Sequence, residues 1–550
     1  MKLEIDNGQQ TGKLLFGNNA SGSIVSVGES VKQYDLLYLC GLSGKGFQVD
    51  VSDFAAVGAL SYGTPQTNAA SGQIVAQTAV AATLTDFYPG ASPMIINADG
   101  DIFVSADGTS GVGVRLSKFS SAGSLIDSVS VAGSGNSKNH CVFELSNGNI
   151  AVVYAIYALR SDVYIAVYDK YLNQVKAATL IGASPVDSYY FGAVKLSAGG
   201  FAVIYQDSSN ALLSKIVTFD NSGNESTAAF TVHTRTGSSN KAYHAIAQLS
   251  NGNLAFAVSS TNSVSGMGLY YGVFTTAGAQ VFAAAQIDSV SSAGFPQLIS
   301  SGAGNFAIAR PNGTNQKAWI FNNAGTLQGT EFSSATTAGV PVAPGQSGTK
   351  IHLLWDGTDF YLIWHRSTDS KCVLTRLPIT GTGYSTTIIP TGTTQYDFFV
   401  SAFYKDGFIV AASMSGGPSG NAAPAIWIIE VSKRALVSPS VTTFGVVPGA
   451  ANGQSLSIID GGDRAFIAMY GYANTAATNL CVGKWSATTV IGVSSDDGIK
   501  DSAAIVQSKP GTYKINGIKG SRFKGYDMTL NAMVGGKGAI MSGGAITITQ

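Results

Sequence analysis

Five histidines and a handful of paired acids are the side chains in this sequence best suited to proton transfer or metal binding. His140 and His244 each stand eight residues before a glycine of a recurring motif, and His352 stands five before another. If such strands line a central channel, the imidazoles could hold an axial metal. Their unequal offsets fit core or channel-wall side chains better. Asp356 with Asp359, and Asp496 with Asp497, could serve as the two carboxylates of a glycan hydrolase. Both pairs sit in turn sequences, where an aspartate caps its own backbone before a glycine. "NADGD" at 97–101 and "DNSGNE" at 220–225 offer some oxygen ligands for calcium. Neither ends in the acid a calcium loop requires at its last position.

No G-x-S-x-G elbow and no H-E-x-x-H pair occurs. "SADGTS" at 105–110 and "SSDDG" at 494–498 are fragments of the S-x-D-x-G-x-T-W box and read as plain turns. Tyr189, Tyr190, Tyr470 and Tyr472 lie near strand ends, where flat rings could stack on a sugar, although packing between sheets also explains them. The expectation is a chain with no catalytic, cofactor-binding or metal-binding residues and with no receptor-binding residue singled out.

The elements that carry these residues repeat. "LSNGNIAVVYAI" at 145, "LSAGGFAVIYQD" at 196 and "LSNGNLAFAVSS" at 249 are one refrain, a strand, a glycine turn and a strand. Its glycines are Gly100, Gly148, Gly199, Gly252, Gly304, Gly357, Gly407 and Gly462, spaced by 48, 51, 53, 52, 53, 50 and 55 residues. Glycine accepts the positive φ of a tight hairpin turn. Between refrains lie two further alternating runs, such as "GLYYGVFT" (268–275) and "QVFAAAQI" (280–287). Four antiparallel strands cannot bury both faces alone, so the units must stack, and radial stacking of such units makes a β-propeller. The sequence predicts an all-β fold of about eight blades, with seven as the alternative and a parallel β-helix as the rival. Residues 72–83 are expected to complete the last blade with strands from 454–486, because an open ring would expose strand edges.

Composition sets the partners. The chain has 550 residues, 45% of them hydrophobic and only 12% charged, with 32 basic and 32 acidic side chains. A typical soluble domain carries about 25% charged residues. Nothing suggests nucleic acid, and no run approaches the roughly 18 apolar residues of a membrane span. The first residues show no secretory signal, so synthesis in a cytosol is expected. Cys40, Cys141, Cys372 and Cys481 are scattered and read as buried free thiols.

Residues 1–71 and 488–550 flank the ring (72–487) and read as two small β modules, or as one split module with the ring inserted. "VKQYDLLYL" (31–39) followed by "VGALS", and "VIGVSSDDGIKDSAAIVQSKPG", resemble short modules of tailed-bacteriophage virion proteins. The refrain is similar to the L-x-D-G-G-F propeller repeats of large phage fibre and bacterial surface proteins, with Leu249, Gly252, Tyr271, Gly272 and Gly278 on the pattern. Trp364 is the nearest match to the tryptophan that pattern places on second strands. The resemblance implies a non-enzymatic virion component, a fibre, tail or head decoration, that forms a homo-oligomer in the particle. Its flanks would dock on other virion proteins and its loops would meet a host-surface glycan or protein. The alternatives are a tailspike-like depolymerase of a host glycan and a cell-surface adhesin or lectin.

Overall fold

A computed structural model describes side chains at most positions from 92 to 387 and at scattered positions between 401 and 460. Elsewhere it describes strands alone, from Ser23–Ser26 to Ala545–Ile548. The architecture is an all-β, eight-bladed propeller, so the eight-blade reading holds over seven. Blade one comprises Met94–Ile96, Ile102–Gly108, Val114–Phe119 and Leu125–Ser130, numbered outward from the channel. Blades two to seven span 136–184, 192–234, 242–288, 297–333, 352–389 and 398–443, each a four-stranded antiparallel meander. Blade eight takes Asn452–Asp460, Ala465–Ala473 and Thr478–Ser486 from the end of the ring, and Gln73–Thr83 from its beginning. Gln73 lies opposite Ser486 and Ala81 opposite Asn479, the closure expected from the sequence. The innermost strands of blades eight and one also pack together, completing the circle.

Why these strands stack follows from their alternation. On blade two's second strand (Ile150–Tyr157), Val152 and Tyr154 join the core shared with blade one. Ala151, Val153 and Ala155 on the same strand join the core shared with blade three. Leu254, Phe256 and Val258 face blade three, whereas Ala255 and Ala257 face blade five. A strand covered on both sides gains nothing from polar alternation, so second strands read as nearly continuous apolar runs. Fourth strands face solvent, and their pairing with third strands shifts register in blades one to five and seven. Such bulges twist an edge away from pairing with other chains.

The flanks realise the split alternative, which corrects the division into separate modules at 1–71 and 488–550. Ser23–Ser26, Leu36–Cys40 and Gly46–Gln48 share one five-stranded sheet with Thr488–Ser494 and Ala503–Gln507. Leu36 pairs with Val493 and Ser23 with Val506. Strands this short are marginal alone, and ring closure brings both sets together at little further entropic cost. The last strands (511–514, 530–534, 537–542 and 545–548) form a separate four-stranded sheet.

Candidate functional site

Strand direction divides the propeller into two unlike rims. Turns between first and second strands, and between third and fourth, lie on one rim. Connections from second to third strands, and from blade to blade, lie on the other.

The first rim is closed on itself. Gly100, Gly148, Gly252, Gly357 and Gly407 have φ of 85°, 82°, 86°, 96° and 90°, as the hairpin reading requires. Gly148 N donates to Leu145 O at 3.0 Å, and Gly252 N to Leu249 O at 2.9 Å. In the third-to-fourth turns, Asp169 Oδ1 accepts from Tyr171 N and Asn173 N, and Asp220 Oδ1 from Ser222 N and Asn224 N, all at 2.8 Å. Burial is the largest single influence and opposes charge on these two carboxylates, but the several donated hydrogen bonds together outweigh it and hold both below the usual range.

Neighbouring blades are latched here by the residue that follows the capping position. Lys170 Nζ meets Asp99 Oδ2 at 3.0 Å, Asn221 Nδ2 donates to Ser146 Oγ at 2.8 Å, and Asn323 Nδ2 to Ser250 Oγ at 2.8 Å. First strands add a second tie, with Ala98 N donating to Glu144 Oε1 at 3.0 Å and Ser197 N to Gln248 Oε1 at 2.7 Å.

The acids singled out from sequence on this rim are thus engaged by protein. Asp101 pairs with Lys118 at 2.8 Å. Asp356 caps Thr358 N and Asp359 N at 2.7 and 2.8 Å. Asp359 is buried, not a solvated turn residue; its Oδ2 accepts from Arg376 Nε at 2.6 Å. Asp496, Asp497 and the four tyrosines fall outside the described side chains.

The second rim rests on buried polar contacts that cross from blade to blade. Ser105 Oγ, within the "SADGTS" fragment, shares a 2.8 Å hydrogen bond with His140 Nδ1 of the next blade. Ser214 Oγ shares one of 3.0 Å with His244 Nε2 of its neighbour. Both histidines are buried, whereas His352 is half-buried on blade six's first strand. The structure therefore places them apart, on three blades. Among the described residues no group of three His, Cys, Asp or Glu is arranged to hold a metal. His233 stacks on Tyr270 with centroids 4.2 Å apart.

Arg310, fully buried, donates to Asp288 Oδ2 through Nη2 at 2.6 Å and Nε at 3.1 Å, and to Ser259 Oγ through Nη1 at 3.1 Å. Burial draws its pKa down, while Asp288 opposes the shift. Lys317 extends the network to Glu331 at 3.0 Å. Sequence reading missed this network. Its one signal was a charged residue inside the apolar run "FAIARP".

No family model matches the chain, and no curated protein resembles it in sequence. Among solved structures, an ulvan lyase is 11% identical with TM-score 0.40, covering 75% of this chain and 97% of that one. The same kind of lyase bound to a sulfated glucuronate–rhamnose saccharide gives 11% and 0.37, covering 65% and 97%. A protein of unknown function from Dyadobacter fermentans gives 8% and 0.35, covering 63% and 93%. Likenesses this remote carry no argument about chemistry.

Proposed function

We propose that the chain is a non-enzymatic recognition component of a phage virion, held by its flanks and presenting the second rim to a host surface. The supporting observation is where the chain joins the ring. Gln73 and Ser486, the two ends of the propeller, lie opposite each other at the end of blade eight that belongs to the self-latched rim. Thr488 begins the flanking sheet two residues later. The flanks thus leave from the rim whose turns are spent on internal hydrogen bonds. The connections that differ in length and sequence from blade to blade lie on the opposite rim, where variation leaves the stacked sheets undisturbed. In sequence these connections include 259–268, 413–425 and 470–479, whose central residues lie outside the described ones.

Partners under this reading are other virion proteins and further copies of the chain at the flanks, and a host glycan or protein at the loops. The test combines particles carrying loop replacements with purified protein incubated with host polysaccharide. Replacing 415–423 should alter adsorption and leave incorporation intact. Release of new reducing or unsaturated ends from the polysaccharide would instead establish the depolymerase alternative. Loops buried against the particle in immunogold labelling would reverse the orientation.

A further inference from the structure

Among the described turns from third to fourth strand, blade two's differs from the rest at two adjacent positions. In blades three to six, Gly223, Gly278, Gly325 and Gly381 have positive φ. Their nitrogens donate back to Asp220, Thr275, Asn322 and Pro378 carbonyls at 3.1, 3.0, 2.9 and 2.8 Å. Small residues precede them: Ser222, Ala277, Ala324 and Thr380. Blade two closes the same bond, Leu172 N to Asp169 O at 3.0 Å, with a leucine at φ 66° and Tyr171 before it. A bulky side chain is strained in that backbone region, and persists there only where its surroundings fix it. Leu172 is buried in the core that blade two shares with blade one, together with Phe103 and Leu116. The anchored turn holds Tyr171 outward at 67% exposure, the most exposed large apolar side chain among the described residues.

Exposed apolar side chains and two charges of opposite sign surround that ring. Lys118 of blade one crosses to blade two, where its Nζ lies 5.7 Å from the Tyr171 ring centre and donates to Lys170 O at 2.9 Å. Asp127 lies opposite Lys118 on blade one's outer strand, directly after the exposed Leu125 and Ile126. Val175, also exposed, stands on blade two's outer strand. Lys118 and Lys170 are already paired, with Asp101 at 2.8 Å and Asp99 at 3.0 Å. Asp127 is exposed on the blade-one side of Tyr171 and accepts from Ser128 N at 2.7 Å. Lys176, next after Val175, points the other way along the pleat and reaches blade three, donating to Asn224 Oδ1 at 3.2 Å. An apolar surface with an acid on one side and a base on the other is complementary to itself. A two-fold axis beside Tyr171 brings each copy's Asp127 opposite the other's Lys176. We propose that this corner of blades one and two docks a second copy of the chain, with Tyr171 as the anchor. An aromatic ring already held in place loses little freedom on binding. The proposal stands on blade two's turn and does not depend on the virion reading.

The test is sedimentation equilibrium of the full chain across a wide range of concentrations, with the melting temperature of every variant measured beside it. The parent should self-associate, and Tyr171→Ala should weaken dimerisation roughly tenfold or more. Asp127→Lys and Lys176→Asp should each weaken it as single changes, because like charges then face each other. The two changes together should restore it, because the exchanged charges again meet their opposites. Val281→Asp, at an exposed apolar position on blade four's outer strand, should leave it unchanged. If Tyr171→Ala does not fold, the charge exchange decides. A parent that stays monomeric at every concentration overturns the proposal. So does a dimer that none of the three single changes weakens, since copies then meet elsewhere, and so does a double variant that fails to recover.

Discussion

At the scale of single residues, backbone geometry rather than contact explains the refrain glycines Gly148, Gly252, Gly304, Gly357 and Gly407. A Cβ built on Gly252 meets nothing within 4 Å, yet φ is +86°. Gly252→Val should then cost about 1–3 kcal/mol through strain alone, measured by denaturant unfolding; an unchanged midpoint would refute the turn argument. Cys141 is free and buried, and burial pushes its thiol up to about 12. It should resist alkylation in the native protein and react only on unfolding, as peptide mapping of labelled thiols can show. Cys40, Cys372 and Cys481 lie outside the described side chains.

Asp220 sets the sign of a pH effect. Its folded-state value is depressed by hydrogen bonds within its turn. The stability it contributes is therefore present above about pH 4, the ordinary aspartate range, and is lost as pH falls through the lower folded value. Asp220→Ala should narrow the gap in melting temperature between pH 7 and strong acid. The change should be small, because the group is largely solvated.

Elements meet through the blade seams, and the seams differ. The seam of blades four and five carries Arg310 and Asp288, whose side chains are 0% and 3% exposed. Removing one partner of a buried pair leaves an uncompensated charge and costs about 3–5 kcal/mol, while replacing both with apolar residues is often close to neutral. Arg310→Met should thus be strongly destabilising and Arg310→Met with Asp288→Leu much less so. Equal loss in single and double variants would show that the pair contributes through packing alone. The latches of the other rim are exposed hydrogen bonds. Asn221 also accepts from Gly200 N at 2.7 Å through Oδ1, so Asn221→Ala removes two bonds and should cost about 1–3 kcal/mol.

The whole molecule depends on one strand from its beginning. Gln73–Thr83 completes blade eight and touches blade one through Ala82 opposite Gly108 and Thr83 opposite Asp107. Deleting 1–83 should open the ring and yield aggregation-prone protein, since it bares the edge of Thr478–Ser486. Deleting only 1–71 should spare the ring, remove three strands of the split sheet and, on the proposed function, abolish incorporation into particles. Size-exclusion chromatography and hydrogen exchange separate the two truncations. A folded, monomeric product from the longer deletion would contradict strand-mediated closure.

Local chemistry repeated eight times made much of the architecture legible in the sequence. A glycine at a fixed interval, flanked by apolar alternation, dictates a hairpin wherever it occurs, and the number of repeats set the number of blades. The closing strand was legible too, because an unpaired edge needs a partner and residues 72–83 had none nearby. Contacts between side chains far apart in the chain were not legible. That Ser105 would meet His140 and that Asp359 would be buried against Arg376 depend on which surfaces the closed ring brings together, and the sequence left open whether the two flanks form separate modules or share a sheet. Nor does Leu172 carry any mark in the sequence that it will take a conformation its counterparts leave to glycine. Only the stacking of blade two on blade one decides that, by burying its side chain in the core they share.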